Sequence, residues 1–273
     1  ALIVQLSLTR HLVSLARFQS TMKNWRESLA ESPGSSEGLK FGQDFVPVSS
    51  IAQQFYCEVK VEHQFVHGDI PTEAKGVGTE LHEQILFMEK VRVEDLIDHI
   101  AGLPRLTASF VLHGKVGAME VVGIPDAIVF ENSKPRWVVE LKTTGGDPSR
   151  LWKDQELQAR IYGLLLENMG FDCSDLELAV VRWRQKDAKE VKQKEEMLSM
   201  ITRSLFDGTS RALEARLGTK FFLFPHDKAQ AEVAVRWAQD FWLGKREPVP
   251  TDNPGKCRVC EYNSLCRFNL SGQ

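Results

Sequence analysis

Alternate residues of an extended chain point the same way, so in the stretch WVVELKTT at 137–144 Glu140 and Lys142 project together while Val139 and Leu141 project to the other side. Upstream, Asp126 follows the turn-prone Gly123-Ile124-Pro125, and antiparallel pairing of the two strands brings all three charged groups to one sheet edge. Two carboxylates brought together repel unless a cation sits between them. Hard oxygen ligands suit Mg²⁺ or Mn²⁺, which polarise a phosphate and lower the pKa of a bound water. Lys142 is then placed to orient the attacking water or to steady charge building on phosphorus. The combination amounts to a recipe for phosphodiester hydrolysis. The plainer alternative is a cross-strand charge pair on a solvated strand, and apolar Val138, Val139 and Leu141 on both faces count against it.

Other residues extend the constellation. His82, in KGVGTELHEQI, offers an imidazole, a usual ligand for Mn²⁺; its plainer role is a half-buried helical histidine donating to a carbonyl. The same stretch begins like a zinc-protease helix, but Leu86 stands where the second histidine is required. Gln158 and Tyr162, in QARIY, lie one helical turn apart on one face. An amide and a phenol projecting together can hold a nucleotide or position Lys142, or simply flank a packed helix.

Near the end, CRVCEYNSLC places Cys257, Cys260 and Cys266 in a C-x2-C-x5-C run. Three thiols so close cannot all pair internally as disulfides, and the tight first spacing suits a metal loop. A fourth soft ligand is needed, with Cys57 and Cys173 as candidates. Zinc and an iron-sulfur cluster both accept four cysteines, so spacing leaves the choice between them open.

Such residues need a scaffold. A helical pattern from Ser49 or Ser50 to His63 carries Cys57, and a second from about Thr72 to Lys90 carries His82. Period-two patterning over 105–112, 118–131 and 136–143 predicts three strands in a meander. A helix over 148–170 carries Gln158 and Tyr162; a strand at 175–183, a charged helical region over 188–217, a short strand at 220–224 and a helix over 227–243 follow. The expected class is α/β, a mixed central sheet flanked by helices. The small, polar stretch ESPGSSEG at 31–38 separates an N-terminal segment, 1–44, from a core over 45–246, and a cysteine-rich tail occupies 247–273.

The totals bound the partners. A formal net charge of −3 over 273 residues gives no global basic field, so a nucleic acid must be held by local patches. Trp152 beside Lys153, and Trp183 between Arg182 and Arg184, are candidate stacking platforms for unpaired strands, with core packing the alternative. Five cysteines fit ligand or free thiols of an intracellular protein better than a disulfide scaffold. No apolar run approaches membrane-spanning length, so no membrane partner is expected. Residues 1–26 are basic and carry no acid, which fits an organelle transit peptide or an ordinary amphipathic helix; the missing initiator Met leaves trimming or truncation open.

In order, Cys57, GTELH with His82, GIPD with Asp126, ELK with Glu140 and Lys142, QARIY, and the terminal C-x2-C-x5-C resemble the RecB-like branch of the PD-(D/E)XK nucleases. That branch includes the exonuclease V family, the CRISPR-associated adaptation nuclease and the nuclease domain of the Dna-two helicase. The resemblance covers about residues 48–268, and the tail is most like exonuclease V. It implies a restriction-endonuclease-like core and a [4Fe-4S] cluster on Cys57, Cys257, Cys260 and Cys266. It also implies Mg²⁺ or Mn²⁺ held by His82, Asp126, Glu140 and the Leu141 carbonyl, with Lys142, Gln158 and Tyr162 completing the catalytic set. The implied activity is exonucleolytic cleavage of single-stranded DNA, with replication, repair or CRISPR-adaptation proteins as partners. A cytoplasmic, mitochondrial or nuclear setting follows. Two other readings stand beside it: a catalytically silent cluster-bearing adaptor, and a zinc protein with four thiolate ligands. No G-x4-GK-[ST] loop occurs, so no helicase motor is present in these residues.

Overall fold

The computed structural model describes residues 20–70, 93–184, 191 and 194–272. Its first part comprises α1 (20–30), β1 (Val46–Pro47), α2 (Val48–Gln54), α3 (Glu58–His67), α4 (Val93–Gly102), β2 (Arg105–Ala108), β3 (Leu112–Val116), β4 (Met119–Gly123), β5 (Ala127–Glu131) and β6 (Lys134–Thr143). There follow α5 (Lys153–Asn168), β7 (Glu177–Trp183), α6 (Lys194–Phe206), α7 (Ser210–Leu217), β8 (Thr219–Pro225), α8 (Lys228–Trp242) and α9 (Pro254–Arg258). None of the described helices is long and apolar enough to cross a membrane.

The architecture is the expected mixed α/β one. The main sheet runs β2-β5-β6-β7-β8, with β6 and β7 parallel and the other neighbours antiparallel. A smaller sheet runs β1-β4-β3. Because β6 lies at the centre of the larger sheet, both its faces are covered, and its alternation sorts side chains into two cores. Val138 shares one core with Leu178 and Val180 of β7 and with Leu157, Ile161 and Leu165 of α5. Trp137, Val139 and Leu141 share the other with Met197 and Ile201 of α6 and with Leu213 and Leu217 of α7. Each fully buried side chain of this size contributes about 1.5–3 kcal/mol. Glu140 and Lys142 stand on the Val138 side, facing α5.

Three expected elements are subdivided. The meander of three strands becomes five strands in two sheets, because 105–112 breaks after Ala108 and 118–131 breaks after Gly123. Pro125 has no N–H for a ladder, and its carbonyl accepts instead from the Ser109 hydroxyl at 2.7 Å. The helix expected from Ser49 to His63 ends at Gln54, and Cys57, extended at φ −172°, begins α3 as its N-cap. The tail takes part in that break: Lys256 Nζ donates to the Tyr56 carbonyl at 2.9 Å. In the charged helical region, Gly208 at φ +64° separates α6 from α7; residues 185–190, 192 and 193 lie outside the described set. The helix expected from Pro148 starts at Lys153, because Asp147 turns the preceding loop by accepting from the Ser149 N–H at 2.8 Å.

Long-range contacts tie the chain's ends to its centre. Trp25 of α1 stacks on Phe171 at 4.6 Å and donates to the Gly170 carbonyl at 3.1 Å, so residues before the ESPGSSEG stretch enter the larger core. Glu58, fully buried, is held by Arg246, by Gln54 Nε2 at 2.8 Å and by the Val249 N–H at 2.7 Å. This pairing fastens the start of α3 to the segment entering the tail.

Candidate active site and cysteine site

Asp126 immediately precedes β5, and the register Ala127↔Val139 sets it beside Glu140 and Leu141 near the end of β6. The Leu141 N–H donates to Asp126 Oδ2 at 2.6 Å. Both carboxylates are nearly removed from water, Asp126 at 8% exposure and Glu140 at 4%. Burial so deep rules out a merely solvated Glu-x-Lys face.

A polar web joins this pair to α5. Lys142 Nζ lies 2.8 Å from Glu140 Oε1 and donates to Gln158 Oε1 at 2.7 Å. The Gln158 amide donates in turn to Glu140 Oε1 at 2.9 Å and to the Tyr162 hydroxyl at 3.2 Å. Tyr162 closes the web by donating to the Ile124 carbonyl at 3.1 Å, which pins the turn before Asp126. Asp126, Glu140, Lys142, Gln158 and Tyr162 are thus brought together, with Leu141 between them. His82 and its helix lie outside the described residues.

Charge and burial bias two of these groups. Burial, the largest influence on Lys142, works against its charge, yet the Glu140 carboxylate and its hydrogen bond, helped by Asp126 and Asp154, outweigh it and hold the ammonium above its ordinary range. An ammonium held in this way suits orienting and charge stabilisation. Burial, with Glu140 behind it, pushes the Tyr162 phenol well above its ordinary range, so it stays a neutral donor.

Two site residues carry no sequence signal that singles them out. Asp154 stands four residues before Gln158 on the α5 face that carries Tyr162. Burial raises its pKa against the pull of Lys142, Lys256 and Arg182. Arg182 pairs in register with Lys142 on the neighbouring parallel strand, at 4% exposure. Its guanidinium donates to the carbonyls of Asp147, at 3.3 Å, and Arg150, securing the loop before α5. Its neighbour Trp183 is buried in the second core, so it offers no stacking platform. Trp152 is half-buried, with the Arg150 guanidinium 4.0 Å over its ring.

The four thiols Cys57, Cys257, Cys260 and Cys266 line one cavity together with Lys60, His63 and Lys256. Turn bonds shape its C-terminal wall: Cys260 N–H to the Cys257 carbonyl at 3.2 Å, and Asn263 Nδ2 to the same carbonyl at 3.1 Å. Tyr262 anchors that wall through its hydroxyl, which donates to the Gly68 carbonyl at 2.7 Å. Cys173 belongs to the larger core, and burial pushes its thiol up to about 12. Burial and neighbouring thiols also raise Cys260 and Cys266. Four soft donors lining one cavity are the set that zinc or an iron-sulfur cluster takes. Among the described residues no three His, Cys, Asp or Glu side chains are already gathered into a cation-holding group; the thiols share a cavity and not a point.

An acid at the start of one strand, a Glu-x-Lys at the end of the next and a helix crossing that strand pair define a class. The chain belongs to the PD-(D/E)XK nuclease superfamily, whose model matches residues 51–267. Among curated proteins it is similar to "Exonuclease V, mitochondrial" of Candida dubliniensis, 39% identical over 44 residues, 16% of this chain and 7% of that protein. A second similar protein is "Exonuclease V, mitochondrial" of Candida tropicalis, 31% identical over 51 residues, 19% of this chain and 8% of that one. The chain thus spans a small fraction of the curated relatives it matches. A solved structure described as "Crystal structure of SSO0001" aligns over 93% of this chain and 96% of that one, at 15% identity and a TM-score of 0.44.

Proposed function

We propose that the chain is a divalent-cation-dependent deoxyribonuclease acting on unpaired DNA from an end, in the manner expected of an exonuclease V. The observation that carries this reading is the web in which Gln158 joins Glu140, Lys142 and Tyr162 beside Asp126. Asp126, Glu140 and the Leu141 carbonyl would hold Mg²⁺ or Mn²⁺, with His82 a further ligand by resemblance. A bound ion supplies Lewis acidity and lowers the pKa of a nearby water. The chain's own part is positioning and charge. Lys142 offsets negative charge at the scissile phosphate. Gln158 keeps that ammonium on Glu140, and Tyr162 fixes the turn that presents Asp126.

Partial likeness to proteins named "Exonuclease V, mitochondrial" favours DNA as substrate and a mitochondrial setting. A [4Fe-4S] cluster on Cys57, Cys257, Cys260 and Cys266 is the cofactor we assign to the cysteine cavity. It would hold together segments about two hundred residues apart, where loop-closure entropy makes a staple most effective.

The test is cleavage of end-labelled single strands and duplexes with Mg²⁺ or Mn²⁺, comparing wild type with Asp126→Ala and Lys142→Ala. Loss of one charge-stabilising group should lower kcat by roughly 10²–10³-fold. Asp126→Ala protein cutting at the wild-type rate would overturn the assignment. Normal strand binding without cutting by wild type would instead favour a silent adaptor.

A further inference from the structure

α5 has two working faces. Asp154, Gln158 and Tyr162 meet the end of β6, while Lys153 and Arg160 belong to an adjacent stripe that lines a groove of about 1000 Å³. The groove is also lined by α8, the α2–α3 junction and the tail, and its size lies at the upper end of the range for ligand clefts. Its character is aromatic and cationic. Trp237, 40% exposed, packs on Phe55 with ring centroids 4.8 Å apart. Lys153 Nζ stands 5.0 Å over the Phe55 ring, and Lys256 Nζ 4.5 Å over the Tyr56 ring. Arg160 pairs with Glu156 at 2.7 Å, which leaves Lys153 and Lys256 against Asp252 along the lining.

Flat aromatic faces beside ammonium groups are the means by which unpaired nucleic acid is held: bases stack and phosphates meet the cations. A duplex hides its base faces and has nothing to offer Trp237. Lys153 and Leu157, which line the groove, are the chain neighbours of Asp154 and Gln158 on α5. Lys256 at its edge acts electrostatically on Asp154, which Lys142 also reaches.

We propose that this groove seats an unpaired DNA strand and leads it over the first turn of α5 to Asp126, Glu140 and Lys142. Trp237 and Phe55 stack its bases and Lys153 meets a phosphate. The inference rests on the reading of the chain as a nuclease for unpaired DNA and adds the path by which the strand arrives.

The experiment uses the full chain with Ca²⁺ and a fluorescein-labelled oligothymidylate, read by anisotropy across a salt series, with melting temperatures recorded for every variant. Trp237→Ala should weaken binding by roughly 5- to 150-fold. Lys153→Ala, at an exposed first helical position, should fold normally and lower the slope of log affinity against log salt by about 0.7. A strand carrying 5-iodouracil should photo-cross-link to Trp237 or Phe55. Unchanged affinity and slope in both variants, with cross-links mapping elsewhere, would overturn the groove. If wild type binds no unpaired strand, the substrate reading itself fails and the groove with it. Cross-links in the groove of a chain that cuts no strand when Mg²⁺ or Mn²⁺ replaces Ca²⁺ would uphold the path and sink the nuclease reading.

Discussion

The backbone N–H of Leu141 donates to the side chain of Asp126 at 2.6 Å, so the acid is clamped by the strand that carries Glu140 and Lys142. One strand therefore presents Glu140 and Lys142 and fixes the position of the third charged group. The separation of Asp126 from Glu140 in the sequence disappears in a single antiparallel register.

The turn before Asp126 has no room for a side chain. A Cβ on Gly123 would lie 2.7 Å from Val48 Cγ2 and 2.8 Å from Tyr162 Cε1. Gly123→Ala is expected to cost about 1–3 kcal/mol by overpacking and to displace the Tyr162 ring. Urea denaturation checks the first, and a fall in kcat beyond what the stability loss explains checks the second.

Glu58 is a buried charge satisfied by Arg246 and two further donors. Glu58→Ala leaves the guanidinium beside Gln54 without its anion, at an expected cost of about 3–5 kcal/mol. Because Cys57 is the next residue, the same change should also reduce cofactor retention. Equal stability and equal metal content in wild type and variant would contradict this role.

The five thiols should divide four to one. If the proposed cluster fills the cavity, alkylation under native conditions should modify none of them readily, and after chelation Cys57, Cys257, Cys260 and Cys266 should label. Cys173 should stay unmodified, since its thiol is buried and pushed up to about 12. Mass spectrometry of peptides reads the pattern, and early labelling of Cys173 would speak against it.

Acid should weaken one exposed tie. The Lys134 ammonium, 2.6 Å away, and Ser174 hold the Asp172 carboxyl down at about 2. Its folded pKa lies below the unfolded value, so the contribution is present above about pH 4 and fades as pH falls toward 2. Both side chains are half exposed, so the effect is under about 1 kcal/mol. Asp172→Asn should be less stable than wild type at pH 6 and should converge with it near pH 2. A constant gap would show that the ion pair is not its source.

The sequence carried the chemistry further than the geometry. Period-two alternation places Glu140 and Lys142 on one face, and one-turn spacing places Gln158 with Tyr162, because both depend only on local repeat. The break at Phe55–Cys57 was not legible, since it depends on Lys256 capturing a carbonyl two hundred residues away in sequence. The same holds for the division of the strands at Pro125, where tertiary pairing sends β3 and β4 to a second sheet. Asp154 and Arg182 resemble ordinary surface charges in one dimension, and only the fold brings them next to Lys142, with Arg182 buried. Spacing within the tail cannot name a distant partner, so Cys57 was named over Cys173 only by the family resemblance; the fold places Cys57 in the cavity with the tail thiols and Cys173 in the larger core.

The proposed nuclease chemistry depends on cation binding between Asp126 and Glu140. Titration of Mn²⁺ into the cofactor-loaded chain, followed by electron paramagnetic resonance, measures it directly. Wild type should bind Mn²⁺ in step with the appearance of DNA cleavage, and Asp126→Asn combined with Glu140→Gln should lose both while keeping its iron and sulfide content. Undiminished Mn²⁺ binding and cleavage in the doubly substituted protein would place the chemistry elsewhere.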